Sequence, residues 1–147
     1  MFLLDTNICS AVINCVPAAI ASFEEYSDSS IALSATVMGE LIDMAARSER
    51  QGANFQQIWT FLDAFVIHPI DAETAEIYGQ LKAAVFDRYA PKDRKQRRRT
   101  KLESLGIGDN DLWIAATALQ HRLTLITADR DFDRLAPLCN LTIDTWL

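Results

Sequence analysis

Carboxylates recur in this chain where apolar, β-branched runs give out. Asp5 closes the run in "FLLDTN", and Asp129 and Asp131 follow "LTLI" within "LITADRDF". Glu40 lies in "LSATVMGEL" and Asp111 in "GDNDLWIAATAL". Each admits a modest structural role: Asp5 or Thr6 can cap a following helix, Asp111 can cap its own, and Asp129 with Asp131 can form an Asx-turn. Glu40 fits such a role least well, standing four residues after Thr36 where a capping box needs three. Gathered at one place these acids repel, since two carboxylates ~4 Å apart cost roughly 4 kcal/mol at an effective dielectric near 20. The group must then hold protons at raised pKa values or bind cations. Oxygen-only donors select hard ions, so Mg²⁺ or Mn²⁺ is expected and zinc is not. Two such ions ~3.5–4 Å apart suit phosphodiester hydrolysis, activating a water and stabilising the leaving oxygen.

The acids meet only if the elements between them allow it. Runs suited to buried strands occur at Phe2–Leu4, Ile31–Leu33, Phe65–Ile67, Thr124–Ile126 and Leu141–Ile143. Helical patterns fill the intervals: "PAAIASFEEY" opened by Pro17, "TVMGELIDMAARSER", "FQQIWTFLDAF", and "DAETAEIYGQLKAAVFDRY" with an N-cap signature at Asp71. A further helix runs from near Asp109 to about His121, and "DFDRLAPL" reads as a short turn before the last strand. This alternation predicts a three-layer α/β/α domain around a central, mostly parallel five-stranded sheet. Right-handed crossovers then set the carboxyl ends of the strands along one edge, where such sheets bind ligands. The helix after Asp109 is apolar nearly all round and therefore buried, so its first turn faces the interior or a cleft. Asp111 reads as a metal ligand there, and Asp109 as a cap or a solvated residue.

At 147 residues the chain is expected to form one domain, residues 1–147. Half of it is hydrophobic and 23% charged, a soluble globular composition. No apolar stretch approaches the ~20 residues a membrane span needs. "MFLLDTN" lacks the basic region of a signal peptide. Three cysteines without a CxxC pair suggest reduced thiols and a cytoplasmic setting. The net charge of −6 conceals an asymmetry, because "KDRKQRRRTK" carries seven of the fourteen basic residues. Lys92, Arg94, Lys95, Arg97, Arg98, Arg99 and Lys101 are either a solvated helix face or arm, or a polyanion-binding patch.

Taken together, "LLDTN", "LSATVMGEL", "GDNDLWIAATAL" and "LTLITADRDF" resemble the PIN-domain ribonucleases of the VapC toxin type, over nearly the full chain. Carried over by position, the resemblance implies an acidic quartet of Asp5, Glu40, Asp111 and Asp129, favouring Asp111 over Asp109. It leaves the fourth acid open between Asp129 and Asp131, with Asp131 otherwise an outer or second-metal ligand, and implies that Thr6 or Asn7 orients the site. It further implies Mg²⁺- or Mn²⁺-dependent endonucleolytic cleavage of RNA, homodimerisation, and a cognate VapB-type antitoxin whose C-terminal segment covers the acidic groove. The basic run, just before Asp111, would suit a grip on the RNA backbone.

Other chemistries fit less of the chain. With only His68 and His121 and no nucleophile pattern, a histidine-based ribonuclease or hydrolase triad has no support, and both read as structural or surface residues. A haloacid-dehalogenase-like phosphatase expects an acid two residues beyond Asp5, where Asn7 stands. A receiver-type domain expects a lysine after the last strand, where Asp144, Thr145, Trp146 and Leu147 stand. A non-catalytic RNA-binding module explains the basic run and leaves the acids unexplained.

Overall fold

Strands covered on both faces read as near-continuous apolar runs, as the central strands of this protein do. In a computed structural model, which describes residues 1–26 and 31–147, β1 (Phe2–Leu4), β2 (Ile31–Ser34), β3 (Val66–His68), β4 (Thr124–Ile126) and β5 (Ile143–Asp144) form one sheet. The order is β3-β2-β1-β4-β5 and every pairing is parallel. Phe2 stands between Ile31 and Thr124, and Leu4 pairs with Ile126. From β1 the chain moves outward through β2 to β3, then returns to lay β4 on the other side of β1. Right-handed crossovers therefore put α1 (Thr6–Ile13), α2 (Pro17–Glu25), α3 (Ala35–Ala46) and α4 (Gln51–Leu62) on one face. The returning connection carries α5 (Ala72–Tyr89), α6 (Arg94–Arg99) and α7 (Asp109–His121) on the other. The packing agrees: α1 lies against α2, α3 and α4, and α5 runs along α7.

Local chemistry sets most of the boundaries. Ser34 Oγ accepts from Val37 N–H at 3.1 Å and starts α3, so Glu40 lies in the second turn with no capping duty. Asp71 and Thr74 form the reciprocal cap that starts α5. Asp93 caps α6, which makes the basic run a six-residue helix with no buried residue. Three expectations shift. β3 and β5 begin one and two residues later than the apolar runs suggest. Leu141 is buried yet precedes the ladder, so its apolar character reports the core and not a strand. α4 starts at Gln51, upstream of its apolar stretch, because the exposed residues Gln51, Gly52 and Ala53 of its first turn carry no apolar pattern. No single helix among the described residues is long and apolar enough to cross a membrane.

The core is continuous across the sheet, from Leu41, Ile58 and Leu62 through Leu3, Leu4, Leu33 and Leu125 to Leu81, Leu112 and Ile114. Phe132 belongs to it and is fully buried, anchoring the 3-10 turn Arg130–Arg134 after β4. Phe132→Ala is expected to lower the unfolding free energy by about 3–5 kcal/mol, from lost burial plus the cavity left behind. Urea denaturation followed by far-UV circular dichroism measures it. A loss below about 1 kcal/mol would mean that the turn is not pinned to the core.

Candidate functional site

The strand order reverses between β1 and β4, and the loops after these two strands diverge there. Asp5 follows β1 at that point and is only 5% exposed. Its backbone N–H continues the ladder to Ile126 O at 2.9 Å. Its carboxylate accepts from Thr6 N at 2.7 Å, from Asn7 Nδ2 at 2.9 Å and from Thr127 Oγ1 at 2.7 Å. Burial nonetheless raises its pKa, with smaller contributions from the charges of Glu40 and Asp129, against the lowering effect of the Thr127 and Thr6 bonds. Asn7 also accepts from Ala128 N at 3.2 Å, fastening the start of α1 to the loop after β4.

Asp111, Asp129 and Asp131 each present an oxygen within 4.8 Å of the others. Asp129 caps the 3-10 turn through Asp131 N at 2.9 Å, and its own N–H donates to Thr127 Oγ1 at 3.0 Å. Asp111 reaches back from the first turn of α7 to accept from Gly108 N at 2.8 Å. It is thus a cap and a member of the cluster at once. Burial first, then the charges of Asp129, Asp5 and Asp131, push its pKa up to about 6. Gly108 leaves room for this bond: a Cβ there would stand 2.7 Å from Asp111 Oδ2 and the carboxylate would have to shift. Glu40 faces the same cleft from α3 but lies outside the trio, held by Thr6 Oγ1 and, at 2.7 Å, by Asn110 Nδ2. The cleft has a volume of about 900 Å³.

Thr6 bonds to Glu40 and Asn7 to Asp5, while Asp131 offers an oxygen to the same group as Asp111 and Asp129. Asp109 does not cap α7; its side chain is partly solvated and accepts from Tyr78 Oη at 2.6 Å and Lys82 Nζ at 2.9 Å. None of the seven basic residues of the run lines the cleft. Arg97 turns back to Phe86 O and Asp87. His68 and His121 stack on each other, ring centroids 3.7 Å apart, away from the cleft lining.

Sequence reasoning missed Thr127, Asn110 and Arg134. A hydroxyl directly after a buried strand was the available signal for Thr127, and the pair of acids flanking it the signal for Asn110. Arg134 gave none. Its guanidinium donates to Leu105 O and Gly106 O and lies 4.6 Å from the Tyr89 ring centroid, tying the loop before Asp111 to the turn that bears Asp129 and Asp131. Gly106 accommodates that contact with a φ of 73°, which favours glycine.

Three carboxylates that lie within 4.8 Å of one another, one of them held above its ordinary pKa by burial and then by its neighbours' charges, form an oxygen-donor set that fits a hard divalent cation. Comparison with known proteins points the same way, since the PIN domain family model matches residues 2–138. The chain belongs to the PIN-domain family. This PIN domain is 30% identical to ribonuclease VapC2 of Rickettsia felis, across 99% of the chain and 98% of that protein. It is 27% identical to the tRNA(fMet)-specific endonuclease VapC of Shigella flexneri, across 93% of each. Its fold is similar to a chain in the crystal structure of VapBC2 from Rickettsia felis bound to a promoter DNA fragment, with a TM-score of 0.77, 28% identity and 99% and 98% of the two chains covered.

Because Asp111 titrates higher in the folded protein than the ordinary 3.8, its contribution to stability is greatest below about pH 4 and is lost as pH rises to about 6. Asp111→Asn keeps an oxygen for Gly108 N–H and removes the charge. The metal-free variant should be more stable than wild type at pH 7 by about 1 kcal/mol, after allowance for the water that screens the site. Its stability should also vary less between pH 4 and 6. Thermal unfolding in chelator across that range tests this, and a variant less stable at pH 7 would reduce Asp111 to a helix cap.

Proposed function

We propose that this PIN domain is a divalent-metal-dependent endoribonuclease and the toxin of a toxin–antitoxin pair, with Mg²⁺ or Mn²⁺ as the working ion. The observation that carries the reading is the ligand-spaced trio of Asp111, Asp129 and Asp131 beside buried Asp5, at the switch point of the sheet. Family membership and the names of its relatives support the substrate class. The trio would hold the ion, Asp5 adding its charge behind it. When bound, a divalent ion lowers the pKa of water and stabilises charge on the phosphate oxygens, in a single- or two-ion arrangement. Glu40, fixed by Thr6 and Asn110, keeps an acceptor turned toward the cleft. Arg47, at the C-cap of α3 and ion-paired with Asp43, lines the cleft and offers a guanidinium to the incoming backbone. Likeness to chains of VapBC complexes supports a VapB-type antitoxin as partner. A homodimer follows from the family resemblance.

Two measurements test the reading. Direct attack of water on phosphorus needs no 2′-hydroxyl, so products should carry 5′-phosphate and 3′-hydroxyl ends, made in Mg²⁺ or Mn²⁺ and not in chelator. Products ending in cyclic 2′,3′-phosphate would overturn it.

The second measurement concerns α6 and its flanks, which grip the RNA backbone in this reading. Replacing exposed Lys95, Arg98 and Arg99 with Ala should weaken RNA binding and flatten its salt dependence. The log–log slope should fall by roughly 0.7 for each phosphate that is no longer neutralised, with cation affinity unchanged. An unaltered slope would leave α6 as a solvated face.

A further inference from the structure

The acids are not the whole lining of the cleft. Trp113 and Ile70 line it together with Asn110. Asn110 and Trp113 are three residues apart on α7, so they share a stripe of the helix about 5 Å apart along its axis. Asn110 is the residue that holds Glu40. Ile70, between β3 and α5, is 45% exposed. The Trp113 indole lies flat on Tyr78 of α5, with centroids 3.7 Å apart and planes 5° from parallel. Tyr78 is itself immobilised: its hydroxyl donates to Asp109 and accepts from Lys82 Nζ at 2.7 Å, and that ammonium also sits 5.1 Å from its ring centroid. The plane of Trp113 is thereby set from behind while the residue stays only half-buried, bordering the cleft. Cation binding and hydrolysis give this shelf no task.

We propose that Trp113 and Ile70 form a nucleobase subsite, on which a base of single-stranded RNA next to the reacting phosphate stacks. The proposal rests on the ribonuclease reading above. Bases in single strands are free to leave their neighbours and stack on aromatic side chains. Such stacking accepts any base, because every base has a π-face. Near so many carboxylates, an uncharged contact grips the substrate without adding to the repulsion its phosphates meet. A platform already fixed by Tyr78 loses little freedom on binding. The subsite fixes the position of the cut without dictating its sequence.

The test uses short single-stranded RNAs of one sequence, each with a single abasic nucleotide at a different place around the cleaved bond. With wild type, one abasic position beside that bond should raise KM roughly tenfold. Trp113→Leu should show that loss on intact RNA and no further loss at the abasic position, while Trp113→Phe should recover part of it. Ile70→Ser, at an exposed site, should reproduce a weaker form of the effect if Trp113→Leu does not fold. Binding gives a readout without turnover. In the Asp111→Asn, Trp59→Phe background, tryptophan emission should be quenched by intact RNA and not by the abasic strand, since Trp146 is buried. If wild type cuts no RNA in Mg²⁺ or Mn²⁺, the ribonuclease reading falls and the subsite with it. If it cuts but the abasic penalty is absent, or equal in wild type and Trp113→Leu, the subsite alone is overturned. Unchanged RNA kinetics in Trp113→Leu with weakened antitoxin binding would assign the shelf to a protein partner and also overturn it.

Discussion

A buried carboxylate has to be satisfied from nearby, and Asp5 at the end of the central strand imposes that condition on everything around it. Desolvating a charge without partners costs several kcal/mol, and removing one hydrogen bond from such a group is far more damaging than the bond's mean worth. Its donors are Thr6 N–H, the Asn7 amide and the Thr127 hydroxyl. Two belong to the start of α1 and the third to the end of β4. Satisfying Asp5 therefore means joining β1 to β4 at the place where the chain reverses its direction across the sheet. The cleft exists because the connections part there, and the acid that closes the seam also faces the cleft.

The same economy governs the other acids. Asp5, Asp111 and Asp129 each accept a backbone N–H at the beginning of a helix or 3-10 turn: Thr6, Gly108 and Asp131. Three positive ends of backbone dipoles converge on the cluster and offset part of its charge. Burial, with the charges of Asp129, Asp5 and Asp131 behind it, still pushes Asp111 up to about 6. The fold thus holds a carboxylate cluster whose mutual repulsion a divalent cation would reduce. Gly108 and Arg134 keep the arrangement close. One admits the carboxylate where a methyl would collide, and the other ties the loop before Asp111 to the turn bearing Asp129 and Asp131.

Much of the site was legible because the acids stand where local patterns end. Asp5 and Asp129 each follow a strand, and Glu40 carries no capping role, since Ser34 starts its helix. Asp111 stood out as a charge opening an apolar helix. That it does both was not legible, because choosing between cap and cluster member presumed that one carboxylate does one thing. The partners of Asp109 were not legible for a different reason. Its partners Tyr78 and Lys82 lie on α5, and no spacing within α7 announces them. Nor did the position of the basic run in the chain reveal that α6 stands outside the cleft lining.

By itself the sequence determined the kinds of element and their succession, because helix caps, strand runs and apolar stripes are interactions among residues within a turn or two of one another. Asp71 with Thr74, Pro17 at the start of α2, and the buried strands all follow from neighbours. The parallel layered architecture followed in turn, since few topologies can cover such strands on both faces. Tertiary structure alone decided which acids come within a metal's reach, that Thr127 serves Asp5, and that Trp113 lies flat on Tyr78. Those contacts join residues far apart in the chain. Their distances are set by how the helices settle on a twisted sheet that reverses its order at β1 and β4, and nothing in the local preferences of either partner encodes them.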